Sequence, residues 1–141
     1  MTEALKYFLD DSQILKETED PDEGIDYIFM LESAEWTVLE NEWDKRSEEW
    51  KGGIAYFAGF CRLISNKEIL LKAISDTSKD VYEQGLLSLH QSITEEIEET
   101  GKFFYQLSEN EKEVVINRLN QTSEKFKKFP EYTELSQILT E

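Results

Sequence analysis

The run Thr94-Glu95-Glu96-Ile97-Glu98-Glu99 gathers four carboxylates into five consecutive positions. On a helix Glu95 and Glu99 lie four residues apart on one face, where they can converge on a hard cation such as magnesium. The chemistry this would support is metal-assisted hydrolysis of a phosphate bond. A working site also needs oxygen ligands from a second element, since magnesium demands near-octahedral geometry. The other candidates are single: His90 is the only histidine and Cys61 the only cysteine.

Glu95-Glu96-Ile97-Glu98-Glu99 resembles the first half of the Glu-Glu-x-x-Glu magnesium motif of all-α nucleotide pyrophosphohydrolases. That family adds a later Glu-x-x-Asp, and here Glu109, Glu111 and Glu113 are followed three residues on by Lys112, Val114 and Ile116. The resemblance therefore covers half a motif, and a charged helix face accounts for the run. Leu87, three before His90, removes the Glu-x-x-His pattern of di-iron bundles. One histidine and one cysteine supply no zinc signature, and no Gly-x-Ser-x-Gly elbow accompanies His90. Cys61 excludes an internal disulfide and sits in an apolar run where a reduced thiol packs. The expectation is a protein that is not an enzyme, with no catalytic residue, metal or cofactor.

A different constellation lies in EWTVLENEWDKRSEEW, residues 35–50, where Glu-Trp occurs three times at a spacing of seven: Glu35-Trp36, Glu42-Trp43 and Glu49-Trp50. A repeat of seven drifts by only about 20° per step along a helix, so the tryptophans form one stripe with the glutamates on its flank. Trp36 falls where the chain is apolar nearly all round and belongs to the core. Trp43 and Trp50 fall where only one narrow stripe is apolar. With Glu42 and Glu49 they suggest an aromatic edge with an acidic rail, suited to Arg and Lys through ion pairs and cation–π contacts.

Apolar residues recur at helical spacing through most of the chain, and no run shows the β-branched alternation of a strand. The expected fold is all-α: one domain over 1–141, an irregular antiparallel bundle of six or seven helices, with a solenoid-like stack as the minority option. The first helix is expected over about 3–16, followed by the loop ETEDPDEG, residues 17–24, in which Asp22 can cap the next helix. From Ile25 to Lys51 no Pro or Gly interrupts, so one long helix or two abutting ones are expected. Gly52-Gly53 should stop or kink it, opening an apolar central helix over 53–65. Gly52, Ala55 and Gly59 would let a neighbour approach that helix closely. Ser65/Glu68 has capping-box spacing before a helix over 67–75, and a long helix over 79–107 follows, weakened at Gly85 and Gly101. Ser108/Glu111 repeats the box before a helix running through Phe126, which Phe129-Pro130 ends before a last helix over 131–140.

Charge layout supplies the functional expectation. The net charge is -16 over 141 residues, with hydrophobic content of 39% that is ample for a core. Residues 1–49 hold 16 Asp/Glu against 4 Lys/Arg, and residues 50–141 hold 15 against 11. Such a field repels nucleic acid and anionic membranes and speeds encounter with a basic protein. The N-terminus MTEALKYFLDD lacks a basic region leading into an apolar one, and no stretch approaches a membrane span, so a cytoplasmic protein is expected. In size, acidity and helical character the chain resembles bacterial immunity proteins, which occlude the basic surface of a toxin. That resemblance implies a stoichiometric inhibitor binding a basic partner through Asp20, Asp22, Glu23, Asp26, Glu35, Glu42, Trp43, Glu49 and Trp50. The alternatives are a phage-type anti-defence protein that mimics DNA with its carboxylates, and a metal-dependent nucleotide hydrolase centred on Glu95, Glu96 and Glu99.

Overall fold

A computed structural model describes residues 1–15, 21–101 and 107–140. Among these residues every regular element is helical, and ten α-helices follow in order: α1 Glu3–Leu9, α2 Asp11–Leu15, α3 Asp22–Ile28, α4 Ser33–Glu42, α5 Glu48–Ala58, α6 Leu63–Ile74, α7 Lys79–Thr100, α8 Glu109–Leu119, α9 Glu124–Lys127 and α10 Pro130–Thr140. A single 3-10 turn, Trp43–Lys45, joins α4 towards α5. The all-α expectation holds. No helix among the described residues is long and apolar enough to cross a membrane.

The helices exceed six or seven in number because three expected elements divide. The first breaks at Asp10, whose Oδ1 accepts the N–H of Ser12 at 3.0 Å and so begins α2. The span 25–51 holds parts of three α-helices and the 3-10 turn rather than one or two helices. α3 ends in a tight turn closed by Met30 N–H on Tyr27 O at 3.0 Å, and α5 starts at Ser47, whose Oγ accepts the N–H of Trp50 at 3.2 Å. The helix expected to run from Ser108 through Phe126 stops at Leu119, and Ser123 caps the short α9 by accepting the N–H of Phe126 at 3.1 Å. Asp22 is the first residue of α3 rather than its cap, a position Pro21 takes.

Gly52-Gly53 neither stops nor kinks the chain; both glycines lie inside α5. The central helix therefore spans 48–58, not 53–65, and the chain turns at Gly59–Arg62 before α6, which begins four residues earlier than the capping box at Ser65/Glu68 implied. That turn is held from inside the bundle. Asn66, fully buried, donates through Nδ2 to Ala58 O at 2.6 Å and Cys61 O at 3.0 Å, and Ser92 Oγ donates to Cys61 O at 2.7 Å. Buried carbonyls without such partners would destabilise the turn. Gly101, at φ 77°, is the left-handed cap that ends α7. The capping box at Ser108/Glu111 forms as expected.

α5, α6 and α7 pack mutually and carry the most extensive interfaces. Ile54, Phe57, Ala58, Ala73, Ile74, Leu86 and Ile93 are fully buried there, and one continuous apolar cluster reaches from Ala4 to Leu139. Close approach of α5 to α7 depends on Gly59, where a Cβ would lie 2.9 Å from the Ser88 side chain and 3.0 Å from its Cα. Gly52 has no such role, for a Cβ there meets nothing within 4 Å. The two glycines should respond oppositely. Gly52→Ala should raise stability by about 0.5–1 kcal/mol, because alanine loses less entropy in a helix. Gly59→Val should lower it by about 1–3 kcal/mol through overpacking. Urea unfolding of the two variants reads both signs.

Candidate functional site

The three Glu-Trp steps do not share a face. Trp36, Trp43 and Trp50 are 5%, 2% and 1% exposed, so none presents its ring to a partner. Trp36 meets the expectation of a core residue. The expected binding edge at Trp43 and Trp50 is corrected, and the reason is the break at Arg46-Ser47. Ending the 3-10 turn there lets α5 turn back, so that the two indoles meet edge to face at 6.0 Å and 65°. Each indole N–H then needs a partner in the interior. Trp50 Nε1 donates to Phe8 O at 2.7 Å, at the C-terminal end of α1, and Trp43 Nε1 donates to Asp76 Oδ2 at 3.2 Å, in the α6–α7 turn.

Cations cover the outer faces of these rings. Arg46 sits 5.0 Å from the Trp50 ring and Lys51 5.9 Å from the Trp43 ring. The cation–π contacts expected from a partner are thus made within the chain. Lys51 Nζ also pairs with Asp76 Oδ2 at 3.0 Å, and both side chains are largely buried. Burial pushes the Asp76 carboxyl up, but hydrogen bonds from Ser78 N–H, Lys51 and Trp43, with the Lys51 charge, bring it below its usual value.

The glutamates of the repeat part company as well. Glu35 is 8% exposed; its Oε2 accepts the Thr2 hydroxyl and its Oε1 accepts Glu32 N–H at 3.1 Å. The Thr2 hydrogen bond, with the Glu32 N–H, holds its carboxyl below the usual range. Glu42 accepts from Arg46 Nη2 at 2.8 Å, and that bond likewise lowers its pKa. Arg46 also reaches Leu9 O at 3.0 Å and Asp11 at 2.8 Å. Glu35 is therefore an internal fastener rather than a partner-facing charge, whereas Glu42, partly exposed, already has its charge paired by Arg46.

Asp22, Glu23, Asp26 and Glu49 are exposed, and none forms an ion pair among the described residues. Asp20 lies outside the described residues. Sequence reasoning missed Glu48, which is exposed beside Glu49 in the first turn of α5. The signal was Ser47 followed by two acids, a helix start favoured by the dipole. Glu48, Glu49 and Asp80 line a groove of about 570 Å³ between α5 and the start of α7, together with Gly52, Tyr56 and Pro21. The open space above Gly52 is this groove.

The catalytic and metal candidates are dispersed. Glu96 turns into the bundle at 5% exposure, and Glu99 pairs with Arg62. Among the described residues no three metal-binding side chains converge. His90 Nε2 contacts Glu134 Oε2 at 2.6 Å and Thr94 Oγ1 at 3.4 Å. A proton relay needs the carboxylate and the hydroxyl on opposite ring nitrogens, and here both meet the same one. Cys61 is buried, its thiol 3.8 Å from Ile28 O; burial, with Glu95 nearby, pushes it up to about 12, so it stays protonated and unreactive.

No protein-family model, curated protein or solved structure matches this chain.

Two measurements follow from this geometry. Because the folded-state pKa of Asp76 lies below its unfolded value, its stabilisation is complete above the ordinary carboxylate range. It is lost as pH falls through the lowered value. Asp76→Asn should cost about 1–3 kcal/mol at pH 7. Its deficit against the parent should shrink as pH falls below about 4. Thermal melts of both proteins across pH 3–7 check the convergence; parallel curves would contradict it. Calorimetric titration with magnesium should give no saturable heat, since Glu96 faces inward and Arg62 holds Glu99; stoichiometric binding lost in Glu95→Gln would contradict that.

Proposed function

We propose that the protein acts by binding rather than by catalysis, as a stoichiometric inhibitor of the kind bacterial immunity proteins represent, docking on the basic surface of another protein. The observation that carries the reading is the separation of its carboxylates into two sets. Glu35, Glu42 and Asp76 are engaged by partners within the chain. Asp22, Glu23, Asp26, Glu48 and Glu49, on α3 and the start of α5, remain exposed and without an ion-pair partner among the described residues. Folding thus uses only part of the acidic N-terminal third and leaves a set of like charges on the surface. Such a set costs some self-repulsion, which a basic partner would relieve while gaining a faster encounter.

A DNA mimic needs an uninterrupted ridge of carboxylates. The later helices interrupt one, because Lys67 pairs with Glu111 and Arg62 with Glu99. The protein-binding reading is therefore preferred.

The test uses the full chain, purified at low salt from its own host. A one-to-one complex with a basic protein is expected, dissociating as salt rises. Neutralising Asp22, Glu23, Asp26, Glu48 and Glu49 together to Asn or Gln should slow association with that protein by about tenfold or more at low salt. At roughly 1 M salt, where the screening length is about 3 Å, the difference should vanish. Association rates insensitive to both changes would overturn the reading.

A further inference from the structure

The buried tryptophans leave the proposed binding protein without its expected apolar anchor, and the structure offers another. Phe29 and Met30 are each 62% exposed and Ile64 is 79% exposed. Phe29 and Met30 form the turn that ends α3, while Ile64 is the second residue of α6. Phe29 and Ile64 line one groove of about 320 Å³, with Leu31, Trp36 and Phe60 also in its walls and Glu95 and Glu99 at its margin.

These exposures do not follow from the needs of the fold. At the start of α6 the neighbouring Leu63 is 2% exposed and satisfies the core, so a polar residue at 64 would complete the helix equally well. A β-branched residue there has no advantage in helix propensity either. The turn at Phe29–Met30 lies between Ile28, which is buried at 1% exposure, and Leu31, at 9%. The core contacts are therefore made on both sides of it, and the two largest apolar side chains of the turn point outward. Phe60, Cys61 and Arg62 also line the groove, and their turn is tied by hydrogen bonds from Asn66 and Ser92. A lining anchored in this way favours pre-organisation, which lowers the cost of binding.

We infer that the Phe29/Ile64 groove is the apolar centre of the partner interface and that it receives an amphipathic basic segment, with apolar anchors in the groove and Lys or Arg on its flanks. This rests on the binding reading above and names the surface it uses. Charge selects the occupant. Glu95 and Glu99 border the groove against one cation, Arg62, which is paired with Glu99. Asp26 stands one turn before Phe29, and exposed Glu32 lies just beyond Leu31. A second copy of the chain would bring another net charge of -16 against this one. A basic segment instead joins apolar burial in the centre to charge attraction at the rim, the arrangement of productive interfaces.

The probe is a synthetic helical peptide with leucines at i, i+4 and i+7 and lysines and arginines on its remaining positions, titrated into the full chain labelled with nitrogen-15. Saturable one-to-one binding is expected, with amide shifts at Phe29, Met30 and Cys61–Ser65. Affinity should fall at least tenfold with Ile64→Asp and with Phe29→Ser, with melting temperatures near the parent's because both sites are exposed. A peptide with serine for leucine should lose a similar factor, as should one with glutamate for its cations. Shifts confined to Asp22–Asp26 and Glu48–Glu49, with Ile64→Asp neutral, would overturn the groove and leave the acidic binding reading standing. No saturable binding would also overturn the groove. So would a dimer in sedimentation equilibrium that Ile64→Asp dissolves, since the occupant would then be a second copy.

Discussion

The edge-to-face contact of Trp43 and Trp50, with both indole N–H groups satisfied inside the protein, is the constraint from which much of the surrounding arrangement follows. Burying two indoles yields a large apolar gain, but each carries one donor that cannot be left dry. Trp50 takes a carbonyl at the C-terminal end of α1, a group the helix itself leaves unpaired. Trp43 takes Asp76, and Asp76 in turn requires Lys51 and the Ser78 N–H to remain charged in a largely buried position. One aromatic pair thereby joins the N-terminal helix, the 3-10 turn, α5 and the α6–α7 turn.

The same requirement sorts the acidic residues. Arg46 covers Trp50 and recruits Glu42, Asp11 and the Leu9 carbonyl, so its charge is spent on closing the structure. Glu35 is spent on Thr2 and the start of α4. Carboxylates in the first turns of α3 and α5 have no such claimants among the described residues, and a favourable helix dipole is compatible with their full exposure. The surface charge of the molecule is thus what remains after its interior has been satisfied. The apolar Phe29/Ile64 groove is likewise a remainder, lying where α3 and α6 expose side chains that the core does not take.

Local chemistry was legible wherever a single residue carries it. Ser108 with Glu111 forms the box its spacing announced, the last helix begins within a residue of its expected start, with Pro130 as its first residue, and helical periodicity alone argued against strands. Ser47, followed by Glu48 and Glu49, carried an equally local signal that periodicity concealed, because the seven-residue repeat of tryptophans seemed to continue through it. The break at Phe29–Glu32 carried a weaker signal: no Pro or Gly marks it, and the box that starts α4 pairs Glu32 with Glu35 in place of the usual Ser or Thr cap. Asn66 and Ser92, which stabilise the turn before α6, act from 26 residues apart in the chain on carbonyls of a third segment. Their role is invisible until the helices are packed.

By itself the sequence determined the all-α class, the length and apolar content that support a core, the starts of α1, α7, α8 and α10 to within a residue, and an acidic excess concentrated in the first 49 residues. These depend on composition and on interactions within a few residues of one another. Only the tertiary structure decided which side of each helix is inside. Trp43 and Trp50 belong to the core because a turn of two residues folds one back on the other. Gly52 opens on a groove while Gly59 sits against Ser88. Ile64 and Phe29, from helices far apart in the chain, share one surface. Such pairings depend on how helices cross, and crossing is set by the packing of side chains that meet only after folding.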